Sequence, residues 1–353
     1  MRADFSADGL PLLIGSLPLT DYRRAAELVW RYTPEIPLWV QLPRLPGETI
    51  TRQFAAALPG LREEDGRAVV DPGDADALLA FYAEAVAVQD GTRDLESSRF
   101  ALDRAAAGGF FELLEQAARR EPPPLALKGQ IIGPVTFGTS FTDLHGKAIF
   151  YDPQLRDAAT QLLALEARWQ VRWLAACGRP VLLFVDDPAL TAFGSSIHIG
   201  MTREDICRSL GEVVEAVHAE GGLAGVHVCA NTDWTLILDS AADILSFDAF
   251  TYADQFLIYR DALRRFFDRG GIVAWGLVPT LDPADIDRET VESLQRRWGS
   301  ICDRIGALGV EPEQLISHSF ITPACGMGAL SEHHALRALE LTRALSHAIR
   351  SNR

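Results

Sequence analysis

The residues with the clearest chemical potential are His227, Cys229 and Cys325. The first two lie in the run Leu223-Ala-Gly-Val-His-Val-Cys229, which is apolar and preceded by glycine, as a buried strand would be. Side chains two apart on a strand share a face, so an imidazole and a thiol project together from its end. Cys325 follows far downstream in Pro323-Ala-Cys325-Gly326, after a later apolar run. One nitrogen and two sulfur donors suit zinc, which prefers four ligands. The fourth position falls to Asp248 or to a substrate atom. A closed set would be structural. An exchangeable fourth position would make zinc a Lewis acid that delivers a substrate thiol as its thiolate at neutral pH. Gly326 and Gly328 flank the second thiol, where the backbone must turn sharply or approach another group closely.

These donors must be held by a scaffold, and the hydropathy pattern supplies one. Eight short apolar runs read as strands: 12–16, 37–42, 126–131, 181–186, 223–229, 244–248, 272–277 and 315–320. Helical patterns at 22–32, 74–89, 95–120, 152–177, 202–220, 252–269, 283–308 and 331–351 separate most of them. Alternating buried strands and helices predict a parallel sheet covered by helices. Eight units predict a single α/β domain over 1–353, a (β/α)8 TIM barrel with a helical insertion at 44–124 after the second strand. A doubly wound sheet is the alternative. No Gly-x-Gly-x-x-Gly follows the first strand, which argues against dinucleotide binding.

Barrel chemistry lies at the C-terminal strand ends. The unusual polar residues fall there: Ser16, Gln41, Gln130, Asp186, Asp187, His227, Cys229 and Asp248, with Trp275 on the seventh strand and 317–325 at the eighth. Gln130, Trp275 and His318 are pocket candidates. Asp186 and Asp187 are candidate catalytic carboxylates, and strand alternation lets only one of them face the site.

The 353 residues are 48% hydrophobic and carry a formal net charge of −15. An acidic surface repels phosphate backbones, so no nucleic-acid partner is expected. No run of about 18 apolar residues marks a membrane span. The N-terminus lacks the pattern of a signal peptide, and the cytoplasm is the expected compartment. Five cysteines without an export signal argue against a disulfide framework. Cys177, Cys207 and Cys302 fall within helical patterns and read as packing residues.

Several of these motifs resemble the superfamily that joins cobalamin-independent methionine synthase with uroporphyrinogen decarboxylase. Ile14-Gly-Ser16 resembles the opening of the methionine synthase catalytic barrel. Lys128-Gly-Gln-Ile-Ile-Gly133-Pro134 resembles the Lys-Gly-x-x-x-Gly-Pro of the decarboxylase and coenzyme M methyltransferase branches. Asp186-Asp187-Pro-Ala-Leu190 resembles Asp-Glu-Pro-Ala-Leu of methionine synthase. His227-Val-Cys229-Ala-Asn-Thr232 and Pro323-Ala-Cys325-Gly326 resemble motifs of zinc-dependent corrinoid methyltransferases. The resemblance implies zinc on His227, Cys229 and Cys325, with Asp248 where methionine synthases carry a glutamate ligand. It also implies that Ser16 and Asp186 contact the thiol substrate. The Arg-Gln-Ala-Gly-Arg motif of the decarboxylases is missing, as is the second barrel that helps methionine synthase bind folate.

The leading expectation is therefore a zinc-dependent methyltransferase. A thiol such as homocysteine would be its acceptor, and a corrinoid (cobalamin) or a corrinoid protein its methyl donor and possible partner. A lyase or decarboxylase of the same superfamily, or a non-catalytic metal or corrinoid carrier, are the alternatives.

Overall fold

Six apolar segments pair side by side, in chain order and all parallel, to form one curled sheet. The computed structural model describes residues 5–64, 67–194 and 200–351. In chain order the strands are β1 (Leu61–Glu64), β2 (Arg67–Val70), β3 (Leu127–Ile132), β4 (Thr142–Asp143), β5 (Val181–Asp186), β6 (Leu223–Val228), β7 (Ile244–Phe247), β8 (Ile272–Val278) and β9 (Ser319–Pro323). The curled sheet is β3-β5-β6-β7-β8-β9, and β1, β2 and β4 make a separate small sheet. The helices are α1 (Tyr22–Tyr32), α2 (Ala75–Gln89), α3 (Gly108–Ala117), α4 (Pro134–Ser140), α5 (Pro153–Ala175), α6 (Arg203–Ala219), α7 (Thr235–Leu238), α8 (Ala249–Phe256), α9 (Arg260–Asp268), α10 (Pro283–Arg288), α11 (Val291–Gly306), α12 (Pro312–Ser317) and α13 (Glu332–Ser351).

The large sheet is buried on both faces, and its period-two alternation separates two cores. Leu182, Phe184, Leu223, Ile244, Ile272, Ala274 and Phe320 cluster on the concave side with Leu10, Leu12 and Ile36. Leu183, Val185, Val226, Leu245, Val273 and Trp275 pack outward beneath the helices. This sorting decides which strand-end side chains can reach the concave site.

Two of the eight expected strands are absent as strands. Residues 12–16, with the preceding Pro11, and 37–42 make only isolated parallel bridges, Pro11 to Ile321, Ser16 to Gln41 and Leu38 to Lys128. Their backbone bonds are sparse, such as Leu12 N–H to Ile321 O at 3.0 Å and Gln41 N–H to Gly15 O at 3.1 Å. Pro11, Pro18, Pro37 and Pro43 punctuate these segments and offer no N–H to a ladder. The sheet therefore has six strands, not eight. The expected eighth strand is also displaced. Residues 312–317 form α12, led by Pro312 at its first turn, and the strand begins only at Ser319.

Most helices form where periodicity places them. Asp152 caps α5 by accepting from Gln154 N and Leu155 N, and Thr202 caps α6. The expected helix over 252–269 is two, α8 and α9, and that over 283–308 is broken before Thr290, which caps α11 in a capping box. The stretch 95–120 holds only a 3-10 turn at Leu95–Ser97 and α3. The 44–124 stretch, expected to be helical, also contains the β1–β2 hairpin. Its pairing with β4 is set by distant residues that local pattern does not reveal. Among the described residues no helix is long and apolar enough to cross a membrane.

Glu166 lies in the buried face of α5, with Oε2 lacking a partner among the described residues. Burial raises its carboxyl well above the usual range. A carboxyl held high in the folded state contributes stability that is fully present below the unfolded pKa and is lost as pH rises through the folded pKa. Glu166→Met removes that loss. Its melting temperature should exceed that of wild type by a few degrees at pH 8, and the gap should close toward pH 4. An equal gap at both pH values would contradict this account.

Candidate functional site

Strand register assembles the site. Asp186 pairs with His227 across β5 and β6, and His227 with Ser246 across β6 and β7. Each lies an even number of residues beyond a concave-core residue, Phe184, Leu223 and Ile244 respectively. One row of polar side chains thus points inward at the C-terminal end of the sheet.

His227 is 3% exposed, and its Nδ1 is 2.9 Å from Ser246 Oγ. Nε2 is buried with no partner among the described residues. Burial, reinforced by the charge of Lys128, lowers its pKa to about 3, so the ring is neutral at physiological pH. An Nδ1–H donated to Ser246 leaves the Nε2 lone pair to a ligand, the arrangement that orients metal-binding histidines.

Cys229 lies just past β6 and Cys325 two residues past β9. Both side chains line the same cavity. Interaction with Cys325 draws Cys229 below the usual thiol range, while interaction with Cys229 and burial push Cys325 up. The two thiols are thus unequal, Cys229 being the more readily ionised. The loop carrying Cys325 is pinned on Ser16. Met327 N–H donates to Ser16 O at 2.9 Å and Gly328 N–H to Ser16 Oγ at 3.1 Å. A Cβ on Gly326 would stand 2.4 Å from Ser16 Oγ, so a side chain there would displace the hydroxyl that accepts from Gly328 N–H.

A cavity of about 320 Å³ opens above these groups. Ser16, Asp186, His227, Cys229 and Cys325 line it together. Gln41, Pro43, Glu48, Thr49 and Ile50 form a further wall. Glu48 holds that wall in place by accepting from Leu42 N–H at 2.9 Å and from the Tyr22 hydroxyl. Gln41 donates to Gln53 Oε1 at 2.7 Å, and Gln53 to Ala106 O at 2.5 Å.

Asp186 is 5% exposed, and its Oδ1 has no partner among the described residues. Burial raises its carboxyl above the usual range, opposed by Lys128. Lys128 is fully buried. Its ammonium donates to Ile14 O at 2.6 Å and sits 4.3 Å above the Phe184 ring. Burial lowers the lysine, and Asp186 partly restores it.

The other predicted residues lie elsewhere. Asp187 faces away from the cavity and accepts from Val135 N–H at 3.0 Å, Thr136 N–H at 2.7 Å and Thr136 Oγ at 2.5 Å. Burial pushes it up to about 6, against the pull of those donors. Gln130 is fully buried and donates to Trp39 O at 2.8 Å. Trp275 points outward among Phe247, Phe256 and Trp298, with Nε1 donating to Ser319 Oγ at 2.9 Å. His318 precedes β9, at the end of the sheet remote from the cavity, with Nδ1 2.9 Å from both Ser317 Oγ and Gln314 O. Asp248 caps α8 through Oδ1, which accepts from Thr251 N–H at 2.9 Å, and its buried Oδ2 has no partner among the described residues.

The donor set and the unpartnered Nε2 fit a soft or borderline divalent ion. The fit is chemical rather than fully preformed. Among the described residues, one set of three ligand-type side chains has all its donor atoms within 4.8 Å, and it is Asp287, His333 and His334 on the surface. His227, Cys229 and Cys325 do not meet that spacing. Ser246, Lys128 and Glu48 were not foreseen as site residues. The first two lie two residues before Asp248 and Gln130 on the same strands, so alternation could have exposed them. Glu48 depends on long-range contacts that leave no local signal.

No protein-family model matches the chain, and no curated protein does. Among solved structures, a B12-independent methionine synthase from Shewanella sp. W3-18-1 is 18% identical, with a TM-score of 0.48, covering 68% of this chain and 67% of that one. The 3-keto-D-glucoside 4-epimerase YcjR from E. coli is 11% identical, with a TM-score of 0.38, covering 66% and 85%. A GH20 catalytic module of the pneumococcal exo-beta-D-N-acetylglucosaminidase StrH is 9% identical, with a TM-score of 0.44, covering 97% and 85%. Likeness at this level does not extend to function.

Proposed function

We propose that this protein is a zinc-dependent methyltransferase that moves a methyl group from a corrinoid, free or protein-bound, to a small thiol such as homocysteine. The observation that carries this reading is a buried imidazole, with its Nε2 unpartnered among the described residues, lining the same cavity as the Cys229 and Cys325 thiols. His227, Cys229 and Cys325 would hold the zinc, with Asp248, just past the end of β7, as the further carboxylate. Bound there, zinc would supply the Lewis acidity that keeps a substrate thiol deprotonated. The motif resemblances around Ser16, Asp186, His227 and Cys325 support the same reading, in which segments 12–16 and 37–42 act as the first two staves of a single (β/α)8 barrel.

The chain's own residues have separable tasks. Ser246 orients His227. Asp186 lines the cavity and would hold a substrate ammonium, while Ser16 fixes the Cys325 loop. The cavity suits a ligand of amino-acid size, so a corrin ring would remain at the mouth, against the wall from Glu48 to Ile50. No arginine or lysine lines the cavity among the described residues. That lining favours a thiol with a positive group over a polycarboxylate such as a porphyrin.

The direct test is to incubate zinc-reconstituted protein with methylcobalamin and homocysteine and follow the corrinoid spectrum. Catalytic demethylation is expected. No turnover with homocysteine or other small thiols would overturn the reading. Ser246→Ala should weaken zinc binding by about 10–100-fold, the usual effect of losing a partner that orients a ligand. Chelator competition measures this, and an unchanged affinity would remove Ser246 from the account.

A further inference from the structure

A different set of side chains points to a metal site outside the cavity. Asp287 lies in α10, which follows β8, while His333 and His334 begin α13, which follows β9. Their donor atoms all lie within 4.8 Å of one another. His334 Nδ1 is held 2.8 Å from Ser331 Oγ, so Nε2 is the nitrogen turned toward Asp287.

The spacing is informative. His334 Nε2 and Asp287 Oδ1 are 3.5 Å apart, beyond a good hydrogen bond. Two donors each about 2.0–2.2 Å from a tetrahedral ion lie roughly 3.3–3.6 Å apart. The observed separation is that of two ligands with an ion between them. The third donor comes from His333, whose ring centroid is 5.3 Å from that of His334.

We propose that Asp287, His333 and His334 bind a divalent transition-metal ion at the surface, with water completing its coordination. Two imidazoles and one carboxylate select zinc, nickel or copper over magnesium or calcium. The bound ion ties the helix after β8 to the helix after β9, whose lead-in segment carries Cys325. This inference does not rest on the function assigned to the cavity.

Calorimetric titration of Cys229→Ser/Cys325→Ser with zinc alone tests it. One saturable equivalent is expected, together with a higher melting temperature when zinc is present. Both should disappear when His333→Ala/His334→Ala is added, and Asp287→Asn should weaken binding at least tenfold. Should the thiol variant fail to fold, the histidine substitutions in the wild-type chain should lower zinc stoichiometry by one. Absence of saturable binding, stoichiometry unchanged by the histidine substitutions, or equal binding of magnesium would overturn the proposal.

Discussion

Asp187→Ala is expected to destabilise the protein by about 3–5 kcal/mol, as the loss of a buried, hydrogen-bonded charge typically does. Its carboxylate satisfies Val135 N–H, Thr136 N–H and the Thr136 hydroxyl at the start of α4, where Pro134 occupies the first turn. The site allows no substitute from the other side. A Cβ on Gly133 would stand 2.2 Å from Asp187 Cβ, so Gly133→Ala should damage the same junction. The adjacent Asp186 should behave differently. Its unpartnered buried oxygen costs stability but its charge offsets that of buried Lys128, so Asp186→Asn should lower the melting temperature far less than Asp187→Ala while lowering methyl transfer. Thermal melts and turnover of the two variants check both halves. A stable Asp187→Ala protein, or an Asp186→Asn protein with full activity, would contradict the assignment.

These two aspartates mark what could be read in the sequence. Alternation says that only one of them faces the concave side, but not which. The choice depends on the phase of β5, set by Leu182 and Phe184 packing inward. His227 and Cys229 were legible because their spacing and strand placement are local. Trp275 was not, because its phase on β8 follows that of Ala274, which packs inward. The short apolar run 315–320 predicts a strand that contains His318, but such a run does not distinguish strand from helix. Here Pro312 leads a helical turn, and Leu315 buries its side chain from that turn. The expected first two strands failed for a related reason: hydropathy registers burial, while proline-punctuated segments cannot complete a ladder.

The second large effect concerns Cys229. Cys229→Ser should reduce methyl transfer by about a thousandfold, corresponding to several kcal/mol of lost charge stabilisation. The fold should persist, because Cys229 lies past the end of β6 and lines the cavity rather than the core. Circular dichroism and single-turnover rates with methylcobalamin separate the two properties. Activity within tenfold of wild type would remove this thiol from the chemistry.

The central claim is that the cavity thiols and His227 hold zinc, and metal content measures it most directly. The measurement is mass spectrometry of reduced, reconstituted protein in the His333→Ala/His334→Ala background, which excludes the proposed surface ion. About one zinc per chain is expected there, and none once Cys229→Ser, Cys325→Ser or His227→Gln is added. No zinc in the background protein, or zinc retained after the thiols are removed, would contradict the account.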